Sequence, residues 1–118
     1  MKKINIIKEN HIFQQMINSN KYVKNKNFII YYRNNELKNY RFGISVGKKI
    51  GNAVIRNKYK RKLRNIIDNN KKIYENNLDY IIILRNNCLN LNFLEMNDSF
   101  ISLINNIKKE DIYEKTNK

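Results

Sequence analysis

The chain has no proline, no tryptophan, a single cysteine and only three glycines among its 118 residues. The lone cysteine, Cys88, excludes an intramolecular disulfide and a zinc site built on cysteines, and it fits a reducing compartment. Turns cannot lean on Pro or Gly, so asparagine must supply them. No fully apolar run is longer than Tyr80 to Leu84, far short of the roughly 20 residues that cross a bilayer. The beginning of the chain, with acidic Glu9 and no small-residue cleavage site, makes a poor signal peptide, so a non-membrane, cytoplasmic protein is expected. His11 is the only histidine and has no set of metal-ligating partners; Glu36, Asp68 and Asp79 are scattered rather than convergent. Neither catalytic residues nor a metal site are expected of the protein itself.

Acidic residues are the most informative shortage. Ten carboxylates face 24 lysines and arginines, a net charge of +14 on one small chain, which points to a polyanionic partner. The abundance of Lys, Asn and Ile is also what an A/T-rich genome would produce, so the distribution of charge is better evidence than its total. Between Glu36 and Asp68 there is no acid at all, yet Lys48, Lys49, Arg56, Lys58, Lys60, Arg61 and Arg64 all fall there. Four of the six arginines lie in that window, where drift toward lysine codons would not put them.

The length allows one domain, 1–118, with one modest core. Ile12, Phe13, Met16 and Ile17 make one apolar face of a helix over residues 9–19. Tyr22 to Lys24 reads as a short strand and FIIYYR (28–33) as a longer one, with Asn34 and Asn35 at the turn. Tyr40 to Val46 alternates as a half-buried strand. Asn52 is the expected N-cap of a helix to about Asn70, in which Ile55, Tyr59, Leu63, Ile66 and Ile67 form the apolar stripe and Arg56, Asn57, Lys60, Arg61 and Arg64 an adjacent cationic one. DYIIIL (79–84) reads as a central strand covered on both faces. Asn92 and Glu95 form a capping box for a last helix carrying Phe93, Met96, Phe100, Leu103, Ile104 and Ile107, with a polar tail expected to fray from about residue 109. There is no internal repeat. The expected fold is a single-domain α/β (α+β) two-layer sandwich in the order α-β-β-β-α-β-α, with about four strands and a basic crossover helix.

The stretch GKKIGNAVIRNKYKRKLR (47–64) has a physical logic of its own. Cations beside a helix N-terminus oppose the macrodipole, so the cluster is costly unless an anion offsets it. Gly47 and Gly51 let a phosphate approach the backbone, free N–H groups at the helix start can bind it, and flanking lysines add charge. The spacing is not that of a nucleotide-binding P-loop.

These residues resemble the signature of the bacterial ribonuclease P protein subunit: two lysines, Gly-x-Ala-Val, then Arg-Asn-Arg with further basic residues one helical turn on. The chain supplies Lys48, Lys49, Gly51, Ala53, Val54, Arg56, Asn57, Lys60, Arg61 and Arg64, and the helix with Phe13 and the strands FIIYY, RFGISV and DYIIIL fall where that family has its elements. The resemblance implies a protein that assists a catalytic RNA in cutting the 5′ leader from precursor tRNA, with Mg²⁺ held through the RNA subunit, no cofactor bound by the protein alone and no protein partner required. It assigns Lys48, Lys49, Asn52, Arg56, Asn57, Lys58, Lys60, Arg61 and Arg64 to the RNA-subunit interface. It places Phe13, Ile17, Tyr31 and Arg33 in a cleft for the precursor tRNA leader. It also implies an unusual left-handed crossover through the basic helix. Lys58 stands in place of the third Arg-Asn-Arg residue, Ile17 where the family often has a second cleft aromatic, and Asn20 where it commonly has glycine; Ile6 and Ile7 replace a frequent Arg-Leu.

The residues alone leave other readings open. A ribosomal or other structural RNA-binding protein would share this composition, and Phe13 and Tyr31 would serve equally as core residues. A DNA-binding helix-turn-helix fits poorly, because a strand and a Gly-containing loop precede the basic helix.

Overall fold

Four strands form one sheet: β1 (Tyr22–Lys24), β2 (Phe28–Asn34), β3 (Arg41–Ser45) and β4 (Leu78–Leu84), in the spatial order β1-β2-β4-β3. The computed structural model describes the backbone of residues 1–116 and the side chains of residues 1–108, so the frayed tail expected from about residue 109 lies outside the fully described residues. The three helices are α1 (Asn10–Asn18), α2 (Ala53–Asn69) and α3 (Phe93–Thr116), giving the expected α-β-β-β-α-β-α order. Among the described residues no helix is long and apolar enough to cross a membrane.

The most apolar strand takes the interior position. β4 pairs antiparallel with β2 and parallel with β3, and six of its seven residues are buried. The parallel pair cannot be joined by a hairpin; the connection carries α2 instead, so the basic segment begins at one end of the sheet and runs back along it.

The two faces of the sheet differ. On one, Phe28, Ile30, Phe42, Tyr80 and Ile82 meet Leu63 and Ile66 of α2 and Phe100 and Ile104 of α3. Phe42 stacks on Tyr80 at 4.6 Å, with the Tyr74 ring against it at 4.7 Å. Each such side chain contributes about 1.5–3 kcal/mol by leaving water, so this face carries most of the core. The other face has only α1 and Ile7 on it: Ile7, Met16 and Ile81 are buried there, with Ile12, Phe13, Tyr31 and Ile83 half-buried around them.

Local signals behave as the sequence predicts in most places. The Asn52 side chain accepts the Ile55 N–H at 3.0 Å, and Asn92 and Glu95 exchange the two bonds of a capping box at 2.8 and 3.0 Å. Asn20 adopts φ 59°, the left-handed conformation that asparagine tolerates, and turns the chain from α1 into β1. Three details differ. Asn34 continues β2, and the turn starts at Asn35, whose Oδ1 accepts the Leu37 N–H at 3.0 Å. Ile55 is 38% exposed, because the first turn of α2 lies over Gly51 rather than over the sheet. Phe93 is 40% exposed, since it starts α3 and only the positions from Met96 onward reach the core.

Candidate nucleic-acid interface

The basic segment is built from a single 3-10 turn, Lys48–Ile50, followed by α2. Ile50 is buried and anchors the turn, while Lys48 and Lys49, the two residues before it, are exposed. Gly51 sits at φ 155°, and a Cβ there would meet Ile55 at 3.0 Å, so glycine is required for the chain to enter the helix this closely. No acid occupies the first turn of α2, so its N-terminal partial charge is not offset by the chain itself.

Along α2 the cations follow helical geometry. Tyr59, Leu63, Ile66 and Ile67 face the core. Arg56, Lys60 and Arg64, four residues apart, form a row on one flank, with Asn57 and Arg61 on the next row outward. Arg56 and Lys60 are half-buried, while Asn57, Lys58, Arg61 and Arg64 are exposed. The Arg56 Nε is enclosed and has no hydrogen-bond partner among the described residues. Lys58 stands roughly 160° from Arg56 around the helix and belongs to the far edge of the cationic surface. The Asn52 side chain is exposed but already committed to the cap.

The cleft residues gather on the thinly covered face of the sheet. The Phe13 ring rests on Gly43 of β3, so close that a Cβ on Gly43 would lie 2.6 Å from its Cζ. Tyr31 and Ile83 extend the floor, and Ile17 stands half-buried on the α1 wall. Phe13 and Tyr31 are therefore neither fully core nor fully exposed: each packs through one side and leaves the other accessible.

Arg33, which the resemblance places in the cleft, is bound on two sides. Its Nε donates to Asp79 Oδ2 at 3.2 Å, and another guanidinium nitrogen reaches Gln15 Oε1 of α1 at 3.3 Å. Asp79 is wholly buried and also accepts from Arg41, at 2.8 and 2.7 Å, and from Asn35 at 2.7 Å. Burial pushes the Asp79 carboxyl up, but the bonds from Arg41, Asn35 and Arg33 outweigh it and hold its pKa below the usual carboxylate value. Arg41 is raised, chiefly by its bond to Asp79. Register explains the cluster: Arg33 and Arg41 both lie opposite Asp79 across the two ladders. One carboxylate thus ties β2, β3 and, through Arg33, the helix α1 that walls the cleft.

A groove of about 590 Å³ joins the two regions, lined among others by Lys8, Phe13, Ser45, Lys60 and Arg64. It brings together Phe13, Lys60 and Arg64, which the resemblance assigns to separate sites; Lys48, Lys49, Asn52, Arg56, Asn57, Lys58, Arg61, Ile17, Tyr31 and Arg33 lie outside it. Lys8 and Ser45 carry no sequence signal for this placement. They enter because Ile7 N–H bonds Phe42 O at 2.8 Å and lays the N-terminal segment along the edge strand β3. Tyr22 and Lys24 are also added by register: β1 pairs Tyr22 with Tyr31 and Lys24 with Ile29, on the cleft face.

Known proteins match this arrangement over nearly the whole chain. The family model described as Ribonuclease P matches residues 1–108. The ribonuclease P protein component of Mycoplasma mycoides is 47% identical over 92% of this chain and 100% of its own length, and that of Streptococcus agalactiae 38% identical over 88% and 94%. A structure of a mutant Staphylococcus aureus RNase P protein superposes with a TM-score of 0.83 at 34% identity, covering 90% of each chain. A protein of this fold, with this cationic crossover helix and these relatives, belongs to the ribonuclease P protein family.

Proposed function

We propose that this chain is the RNA-binding protein subunit of a ribonuclease P, assisting a catalytic RNA in endonucleolytic removal of the 5′ leader from precursor tRNA. The observation that carries the reading is the acid-free cationic surface from Lys48 to Arg64, continuous through the groove with the aromatic cleft at Phe13. Lys48, Lys49, Arg56, Asn57, Lys60, Arg61 and Arg64 contact phosphates of the RNA subunit; Asn52 fixes the helix start and Lys58 extends the surface. Phe13, Ile17 and Tyr31 hold the single-stranded leader, and Arg33 keeps α1 in place above it. Aromatic faces accept any base, so leader binding is weakly sequence-dependent. The RNA subunit supplies the reaction chemistry and holds the Mg²⁺ it needs; the protein holds no metal, needs no protein partner and works in the cytoplasm.

Reconstitution tests this. The purified protein with the RNA subunit of the same source should remove the leader in Mg²⁺ faster than the RNA subunit alone, and the protein alone should leave the precursor intact. Cleavage unchanged by the protein, or nuclease activity that copurifies with the protein alone, would overturn the proposal.

A further inference from the structure

β1 gives the cleft a part that the motif does not contain. Tyr22 is 37% exposed, stands on the same sheet face as Tyr31, Ile29 and Ile83, and has its ring 5.3 Å from that of Tyr31 at an interplanar angle of 51°. The tilt keeps the two rings from closing on each other as a parallel stack, so a planar group can lie against either one. Lys24, two residues on, projects from the same face and is exposed. The sheet order separates this pair from Phe13: Phe13 sits over β3 at one edge, while Tyr22 sits on β1 at the other. Three strand spacings of about 4.8 Å make that separation roughly 14 Å, room for several bases. Between them the α1 wall presents Ile17, which is aliphatic.

We propose that Tyr22 and Tyr31 form a second base-stacking platform at the β1 edge, with Lys24 against the adjacent phosphate, which takes nucleotides of a single-stranded RNA beyond those held at Phe13. The inference rests on the cleft being the leader site. A tyrosine pair serves single-stranded RNA because every base has a π-face, and one lysine contact adds a cation released on binding. The site is built by register alone: Asn20 turns the chain straight from α1 into β1, which delivers Tyr22 beside Tyr31.

Binding of precursor tRNAs with leaders of one, four and eight nucleotides to the reconstituted holoenzyme, with mature tRNA as control, tests it. Tyr22→Ala should weaken the eight-nucleotide precursor by roughly fivefold or more, the lower end of what one lost stacking ring costs. It should leave the one-nucleotide precursor and mature tRNA unchanged, and lower the melting temperature by no more than the few degrees that one cross-strand ring pair supports. Tyr22→Phe should retain wild-type affinity, and Lys24→Ala should reduce the salt slope for the long leader by about one. If Tyr22→Ala binds the long leader as wild type while Phe13→Ala does not, the platform is wrong and the cleft stands. If neither variant affects any leader, the leader-cleft reading fails with it. An equal loss for mature tRNA and for the one-nucleotide precursor would make Tyr22 a structural residue and overturn the proposal.

Discussion

Gly43→Ala is a small change that should act on the cleft through Phe13. A Cβ at Gly43 would lie 2.6 and 2.9 Å from Cζ and Cε2 of Phe13 and 2.7 Å from Cδ1 of Ile81. Carbon atoms settle at about 3.5–4.0 Å, so the ring must retreat by roughly 1 Å and Ile81 must turn. Overpacking of this kind costs about 1–3 kcal/mol, which for a chain of this size lowers the melting temperature by about 4–12 °C. The displaced ring should also weaken holoenzyme binding of a precursor with a leader of several nucleotides, by up to the ~1–3 kcal/mol of one stacking contact, with mature tRNA and the RNA subunit bound as before. Thermal melts of Gly43→Ala, Phe13→Ala and the double variant close a cycle. Removing the ring removes most of the clash, so the double variant should be more stable than the sum of the singles by at least about 0.5 kcal/mol. Additive effects would show that the added methyl does not press on Phe13. A destabilised Gly43→Ala with unchanged leader affinity would show that Phe13 does not hold the leader.

Three further outcomes are expected. Arg56→Ala and Arg64→Ala should each weaken RNA-subunit binding and flatten its log–log salt dependence by about one; wild-type slopes in both would remove this helix face from the interface. Sulfate or polyphosphate should raise the melting temperature of the free protein by occupying the uncompensated cationic start of α2, and a melting temperature that does not respond would exclude an anion site there. Asp79 has a lowered pKa in the folded state, so its contribution is fully present above the unfolded value of about 3.9 and is lost as pH falls through the folded one. Asp79→Ala, which leaves Arg41 and Arg33 without their carboxylate, should cost about 3–5 kcal/mol at neutral pH and remove that part of the acid dependence; equal acid sensitivity in the variant, followed by denaturant melts, would refute it.

Local sequence set the elements and the cationic stripe of α2. Helical and strand periods, the Asn52 cap and the Asn92–Glu95 box are local, each set within a few residues, and the cationic stripe is legible because charge and spacing both lie within one helix. What lay beyond it depended on which strand sits beside which. Nothing in the order of residues says that β4 inserts between β2 and β3, yet that insertion places Asp79 between Arg33 and Arg41, so that Arg33 is bound to this carboxylate as well as to Gln15 of α1. The same holds for Tyr22 beside Tyr31 and for Lys8 beside Lys60 and Arg64, pairs separated by many residues and joined only by strand register and by the N-terminal segment lying on β3. Local propensity fixes what each segment is; long-range pairing, which closes loops at an entropic cost that burial of the whole sheet must offset, decides which side chains meet.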